Sequence, residues 1–231
     1  MDGKTAVITG ASRGIGAAVA REFADAGANL VLCARDTERL DDVVDEIEGD
    51  GGTALGLRAD VRDEFDVERV MERAARIGGE IDLVVANAAV KHGESGELPL
   101  EEEAYSSFDD TMRTNARGVF VTVKEALPHL APDARVLVPS GLVAREAKPG
   151  VGSYAVSKAA AEAIARQFAV ELEQTVGVVD PGLVSTSLTR ERGRREPEDV
   201  APMYRWAATE LAAAEFDGAV VGLKEWKRAT R

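Results

Sequence analysis

Seven short apolar runs recur along the chain, at residues 6–8, 29–33, 53–58, 83–85, 136–138, 175–179 and 219–223. Between them, residues 17–26, 37–50, 64–77, 105–130, 154–173 and 198–213 carry apolar side chains every three or four positions, the period of a helix with one buried face. The runs are apolar throughout instead of alternating, as strands of a parallel sheet covered on both faces should be. Strand and helix alternating in this way predict a doubly wound α/β fold with a mostly parallel sheet of about seven strands. No linker or repeat interrupts the pattern, so 1–231 is expected to form a single domain. Two stretches stand outside it: a glycine-containing acidic excursion at 91–104, and a charged segment at 187–196 before the last helix.

The first strand runs directly into Thr9-Gly10-Ala11-Ser12-Arg13-Gly14-Ile15-Gly16 and then a helix. Gly10 permits a sharp turn, Gly14 lets the backbone approach a pyrophosphate, and Gly16 lets the helix pack closely on the strand. The helix N-terminus then offers free N–H groups and a positive dipole end to an anion. The second strand ends in Cys33-Ala34-Arg35, with no acidic residue to take ribose hydroxyls. Arg35 and Arg13 instead favour the 2′-phosphate of NADP(H); the alternative is that Arg35 pairs on the surface with Asp36 or Glu38. After the third strand, Asp60 is placed to accept from an adenine amino group and Val61 to pack on the ring. Asp60 could equally cap the next helix, although Asp63 is better placed for that.

Asn115 and Gly118 lie inside the segment expected to be one long helix, where both weaken helical structure, so a local purpose is expected there. Tyr154 and Lys158, at i and i+4, place a phenol and an ammonium on one helix face. A phenol is a poor acid–base group at neutral pH unless its anion is stabilised, and an ammonium one turn away does that, helped by the positive nicotinamide ring of an oxidised cofactor.

A net charge of −13 argues against nucleic acid or an anionic membrane as partner. The acidity is spread along the chain, with 21 arginines to 7 lysines. Two readings stand: adaptation to high salt, where screening shortens the range of self-repulsion, or an ordinary acidic cytoplasmic protein. The chain is expected to be soluble and cytoplasmic, since it shows no leader and no apolar run long enough to cross a bilayer. Cys33 is the only cysteine and His92 and His129 the only histidines, which leaves little for a metal site, and none is expected.

Taken together these segments resemble the short-chain dehydrogenase/reductase family over nearly the whole chain. Thr9 to Gly16 resembles its TGxxxGxG turn, Asn115 its mid-helix asparagine, Tyr154 and Lys158 its YxxxK pair, and Pro181-Gly182-Leu183-Val184-Ser185-Thr186 its PGxVxT segment. Its NNAG reads Ala86-Asn87-Ala88-Ala89 here. The resemblance implies an NADP(H)-dependent oxidoreductase that interconverts a small-molecule ketone or aldehyde with an alcohol. Asn87 and Ala88 would line the cofactor site with Pro181 and Gly182. Tyr154 would exchange the proton, Lys158 would hold the nicotinamide ribose, and Asn115 would hold a water linking Lys158 to solvent. Val184 and Thr186 would orient the carboxamide. Ser140 would bind the substrate oxygen, although it precedes Tyr154 by fourteen positions, one more than the family's usual interval, so an ungapped alignment places Gly141 there. Ser153 is the rival hydroxyl, expected to cap the helix of Tyr154.

The segment at 187–196 matches the family's substrate lid, and Arg190, Arg192, Arg194 and Arg195 either form an anion site or balance nearby carboxylates. The helices carrying Asn115 and following Lys158 are, by resemblance, assembly surfaces of a homotetramer or dimer. A catalytically silent redox sensor would be expected to lose Tyr154 or Lys158. A halohydrin dehalogenase would lack the glycine turn.

Overall fold

The computed structural model describes residues 1–93, 96–189 and 191–230. Seven strands form one sheet: β1 (Thr5–Thr9), β2 (Asn29–Ala34), β3 (Thr53–Arg58), β4 (Ile81–Val85), β5 (Leu130–Pro139), β6 (Thr175–Asp180) and β7 (Val220–Gly222). Their order is β3-β2-β1-β4-β5-β6-β7, and every pairing is parallel. The expected doubly wound sheet is therefore what forms.

Each strand feeds both faces of the sheet, which explains why its sequence is apolar throughout. On one face Ala6, Ile8, Leu30, Leu32, Leu83 and Val85 pack with α1 (Gly14–Asp25), α2 (Thr37–Gly49) and α7 (Pro197–Thr209). On the other, Val7, Val31, Val84, Val136 and Val138 meet α3 (Glu64–Gly78), α5 (Gly118–Ala126) and α6 (Ser153–Glu171). The chain leaves β3 at one edge and returns to pair β4 with β1, so winding reverses between β1 and β4. At such a reversal the connections diverge and leave a crevice beyond the strands' carboxyl ends.

Three stretches differ from expectation. The long helix over 105–130 is broken into α4 (Tyr105–Met112), a π-helical turn (Arg113–Arg117) and α5, and Leu130 already belongs to β5. Pro128 cannot continue an α-helix, and Pro132 lies where the β4–β5 register shifts, between the Ile81–Leu130 and Leu83–Arg135 pairs. The helix over 198–213 stops at Thr209 and restarts as α8 (Ala213–Phe216). The last run ends at Gly222, whose N–H donates to Glu225 at 3.0 Å and opens α9 (Leu223–Ala229). Among the described residues no helix is long and apolar enough to cross a membrane.

Candidate active site

The glycine turn lies at the crevice. Gly10 has φ +67°, and a Cβ there would stand 2.8 Å from Ala88 Cα. A Cβ on Gly16 would stand 2.4 Å from the Gly10 carbonyl oxygen, so β1, its turn and α1 come closer than any side chain permits. Asn87 fastens the same turn from β4: its Nδ2 donates to the carbonyls of Thr9 (2.9 Å) and Gly10 (3.1 Å), while the Ala88 N–H donates to Thr9 Oγ1 at 3.1 Å. Ser12, Arg13, Gly14 and Ile15 line the resulting cleft at the start of α1.

The cleft extends past Ala34 and Arg35 to Asp60 and Val61. Arg13 and Arg35 are both exposed, and neither makes an ion pair among the described residues. Asp36, the alternative partner for Arg35, instead caps α2 through the Arg39 N–H at 3.4 Å and pairs with Arg39. Asp60 lines the cleft, yet Arg62 grips its carboxylate through Nε (3.0 Å) and Nη2 (2.5 Å). Burial opposes ionisation of Asp60, but the hydrogen bonds from Arg62 outweigh it and hold the carboxyl below its usual range. The cap of α3 is Asp63, which accepts from the Phe65 N–H at 3.0 Å. Gly118 finds its purpose here, because a Cβ would stand 2.8 Å from Val61 Cγ2.

Tyr154 and Lys158 share one face of α6, with the Lys158 Nζ 5.9 Å from the phenol ring centroid. That ammonium is buried and donates to the Pro139 carbonyl at 2.9 Å. Burial brings the Lys158 pKa down to about 8, against the pull of Glu162, which raises it. Burial, followed by the charge of Asp180, pushes the Tyr154 phenol up to about 12. Burial and the Asp180 carboxylate thus oppose the stabilisation of the phenolate that Lys158 is expected to give. Lys91, on the chain leaving β4, also stands over the Tyr154 ring, at 5.7 Å.

Asn115 is fully buried in the π-helical turn. Its Oδ1 accepts from the Val90 N–H (2.7 Å), and its Nδ2 donates to the Val90 carbonyl (2.8 Å) and to Ser157 Oγ (3.0 Å). Both amide hydrogens are committed, while Oδ1 keeps a second lone pair that can accept from a water.

Ser140 follows β5 directly, and its hydroxyl donates to Glu162 Oε1 at 2.7 Å. Gly141 next to it has extended backbone and leads into a 3₁₀ turn (Leu142–Ala144). Glu162 is buried and also receives Arg145, which bridges to Asp180. Ser153 does not cap α6 with its own hydroxyl. Glu103, before α4, supplies the carboxylate, accepting from the Ser153 N–H at 2.6 Å and from its Oγ. Glu162, Arg145, Asp180 and Glu103 had no signal in the sequence beyond their charge.

Asp180 also accepts from the Gly182 N–H at 2.9 Å, closing the turn through Pro181. Thr186 reaches the glycine turn, its Cγ2 lying 3.3 Å from where a Gly14 Cβ would be. Thr189, unremarked in the sequence, takes the Val184 carbonyl at 2.7 Å and accepts from the Thr186 N–H at 2.9 Å. At the two ends of the segment expected to form a lid, the Ser185 N–H donates to the Arg195 carbonyl at 2.7 Å. Of its four arginines, Arg190 lies outside the described residues, while Arg192 and Arg194 are exposed and Arg195 is half-buried.

Residues 4–197 match the family model described as short chain dehydrogenase. Oxidoreductase UcpA of Salmonella typhimurium is 36% identical over 211 residues, which cover 87% of this chain and 78% of that protein. A dehydrogenase/reductase from Sinorhizobium meliloti 1021 has a similar crystal structure, with a TM-score of 0.85 and 34% identity over 96% of this chain and 94% of its own. A short chain dehydrogenase from Burkholderia cenocepacia J2315, solved in complex with NADP, gives 0.86 at 28% identity over 97% of both chains.

Proposed function

We propose, because this chain belongs to the short-chain dehydrogenase/reductase family, that it transfers a hydride between NADP(H) and a small ketone, aldehyde or secondary alcohol. The observation that carries this reading is the buried Lys158 ammonium standing 5.9 Å from the Tyr154 ring. A buried charge is costly, and no fold need of α6 calls for one. It fits a role beside a phenol that gives or takes a proton.

The residues present fit the cofactor. Gly10 and Gly16 let β1, its turn and α1 pack without side chains, the N-terminus of α1 at Gly14 lines the cleft, and neither Arg13 nor Arg35 makes an ion pair among the described residues. When bound, NADP(H) supplies the hydride or its acceptor. The chain supplies the rest: Arg13 and Arg35 hold the 2′-phosphate, Val61 packs on the adenine with Asp60 at its edge, and Lys158 holds the nicotinamide ribose. Pro181, Gly182, Val184 and Thr186, the last of which lines the cleft, would hold the carboxamide end, and the NADP complex of the Burkholderia relative supports the cofactor class.

With its pKa near 12, Tyr154 is protonated at neutral pH, which is the form that protonates a developing alkoxide. Ser140 would bind the substrate oxygen by turning its one hydroxyl hydrogen from Glu162 Oε1 to the substrate. Asn115 holds the Val90 backbone, and with it the wall of the cleft. Phe120 and Val170 are exposed, and the Phe120 ring stacks on Phe168 at 5.9 Å, which supports assembly of a dimer or tetramer through α5 and α6. The setting that fits is the cytoplasm, with a small-molecule substrate and no nucleic acid.

The test is NADPH oxidation with a panel of ketones, aldehydes and β-keto esters, at low and multimolar KCl. Tyr154→Phe should abolish turnover and leave NADPH affinity within about twofold, since the hydroxyl serves proton transfer. Tight NADPH binding with no turnover on any member of the panel would favour the redox-sensor reading instead.

A further inference from the structure

Residue 162 lies one helical turn beyond Lys158 and two beyond Tyr154, so α6 carries phenol, ammonium and carboxylate along one stripe. The side chain of Glu162 is only 3% exposed. Its Oε1 accepts from Ser140 Oγ at 2.7 Å and from Arg145, and its Oε2 faces Arg166 at 3.9 Å. Lys158 donates to the carbonyl of Pro139, the residue before Ser140. Successive turns of one helix thus grip adjacent residues where the chain leaves β5. Burying a carboxylate is costly unless its partners are in place, and two of the partners here, Ser140 and Arg145, lie on the chain that leaves β5.

We propose that Glu162 is a positioning residue for this reaction: its carboxylate anchors Ser140 and Arg145 at the floor of the site and sustains the Lys158 ammonium from one turn away. The proposal rests on the hydride-transfer reading for what Lys158 does, but not for how Lys158 is held. Among the described residues no carboxylate touches Lys158, and Glu162 is the one whose field reaches it. The other charged and titratable groups around the pair are Tyr154 and Arg166 on α6, Arg145 on the turn after β5, Asp180 at the end of β6, and the buried Tyr204 of α7, which feels both Asp180 and Tyr154. Glu103 sits at the N-terminus of α6, and Lys91 lies over Tyr154. The stretch from α4 into the π-helical turn contributes the uncharged Asn115 through Ser157.

Lys158 titrates near 8, below the ordinary lysine value. Its ammonium is therefore present below that pH and lost above it. Removing the negative charge at Glu162 should lower the midpoint, and removing the positive charge at Arg145 should raise it. A unit charge about 6–8 Å away at an effective dielectric near 20 corresponds to about 1.5–2 pH units, which the opposing charge paired with each group reduces to about one.

The experiment follows the Lys158 Cε signal by NMR in 13C-lysine-labelled full-length protein, assigned with Lys158→Met, beside pH profiles of kcat and NADPH affinity. The expected result is a midpoint about one unit lower in Glu162→Gln, higher in Arg145→Met and nearly unmoved in Glu162→Asp, with the alkaline limb of each profile moving alike. Midpoints that stay in place, or move the same way in Glu162→Gln and Arg145→Met, overturn the proposal and leave Glu162 a packing residue. If Glu162→Gln fails to fold, the upward shift in Arg145→Met and its absence in Arg145→Lys decide. A wild type that turns over nothing while the NMR midpoints shift as stated would defeat the hydride-transfer reading and not the positioning role.

Discussion

Replacing Asn115 by alanine tests whether this side chain is a structural clamp or a holder of water. It makes three hydrogen bonds, at 2.7, 2.8 and 3.0 Å, and two of them satisfy both polar groups of the Val90 backbone. Alanine leaves that N–H and carbonyl without partners. A buried unsatisfied group costs about 1–3 kcal/mol, and Val90 is only half-buried, so the lower end applies to each. The Ser157 hydroxyl keeps its bond to the Tyr154 carbonyl at 2.8 Å and adds little. The expected loss is about 2–3 kcal/mol, which for a chain of 231 residues lowers Tm by about 5–10 °C. The segment that carries Lys91 over Tyr154 should loosen with it, so kcat should fall together with Tm. Thermal unfolding by circular dichroism, run beside kcat and NADPH titration, separates the two roles. A Tm within 2 °C of wild type with turnover abolished would refute the clamp and return Asn115 to a purely chemical part.

NADPH should bind more tightly than NADH, and Arg35→Ala should cost on the order of 2 kcal/mol, more than tenfold in NADPH affinity, with NADH little changed. Isothermal titration checks it, and equal affinities in the wild type would remove the 2′-phosphate site from Arg13 and Arg35. The charge of −13 and the excess of arginine over lysine predict a Tm that climbs with KCl into the molar range as self-repulsion is screened. A flat or falling Tm would make the acidity ordinary surface variation.

What could be seen in the sequence was whatever the chain encodes at short range. Gly10 and Gly16 announced a close approach, because only a missing side chain tolerates a contact at 2.4–2.8 Å. Tyr154 and Lys158 declared a shared face through the helix period itself. The parallel, doubly wound sheet followed from strand and helix alternating along the chain.

The polar partnerships that shape the site were invisible, since they join residues far apart: Ser140 to Glu162 across 22 positions, Arg145 to Asp180 across 35, and Ser153 to Glu103 across 50. No spacing rule covers such pairs. A carboxylate one turn past a lysine looks like any solvated helix residue until the end of β5 is laid against it and water is excluded. The Tyr154 phenol is the clearest case. Its neighbour Lys158 was legible as a stabiliser of the phenolate, whereas the burial and the Asp180 charge that push the other way exist only once β6 lies beside α6. Charge depends on every group that the fold brings near, in proportion to the water it removes, and neither is written in local order.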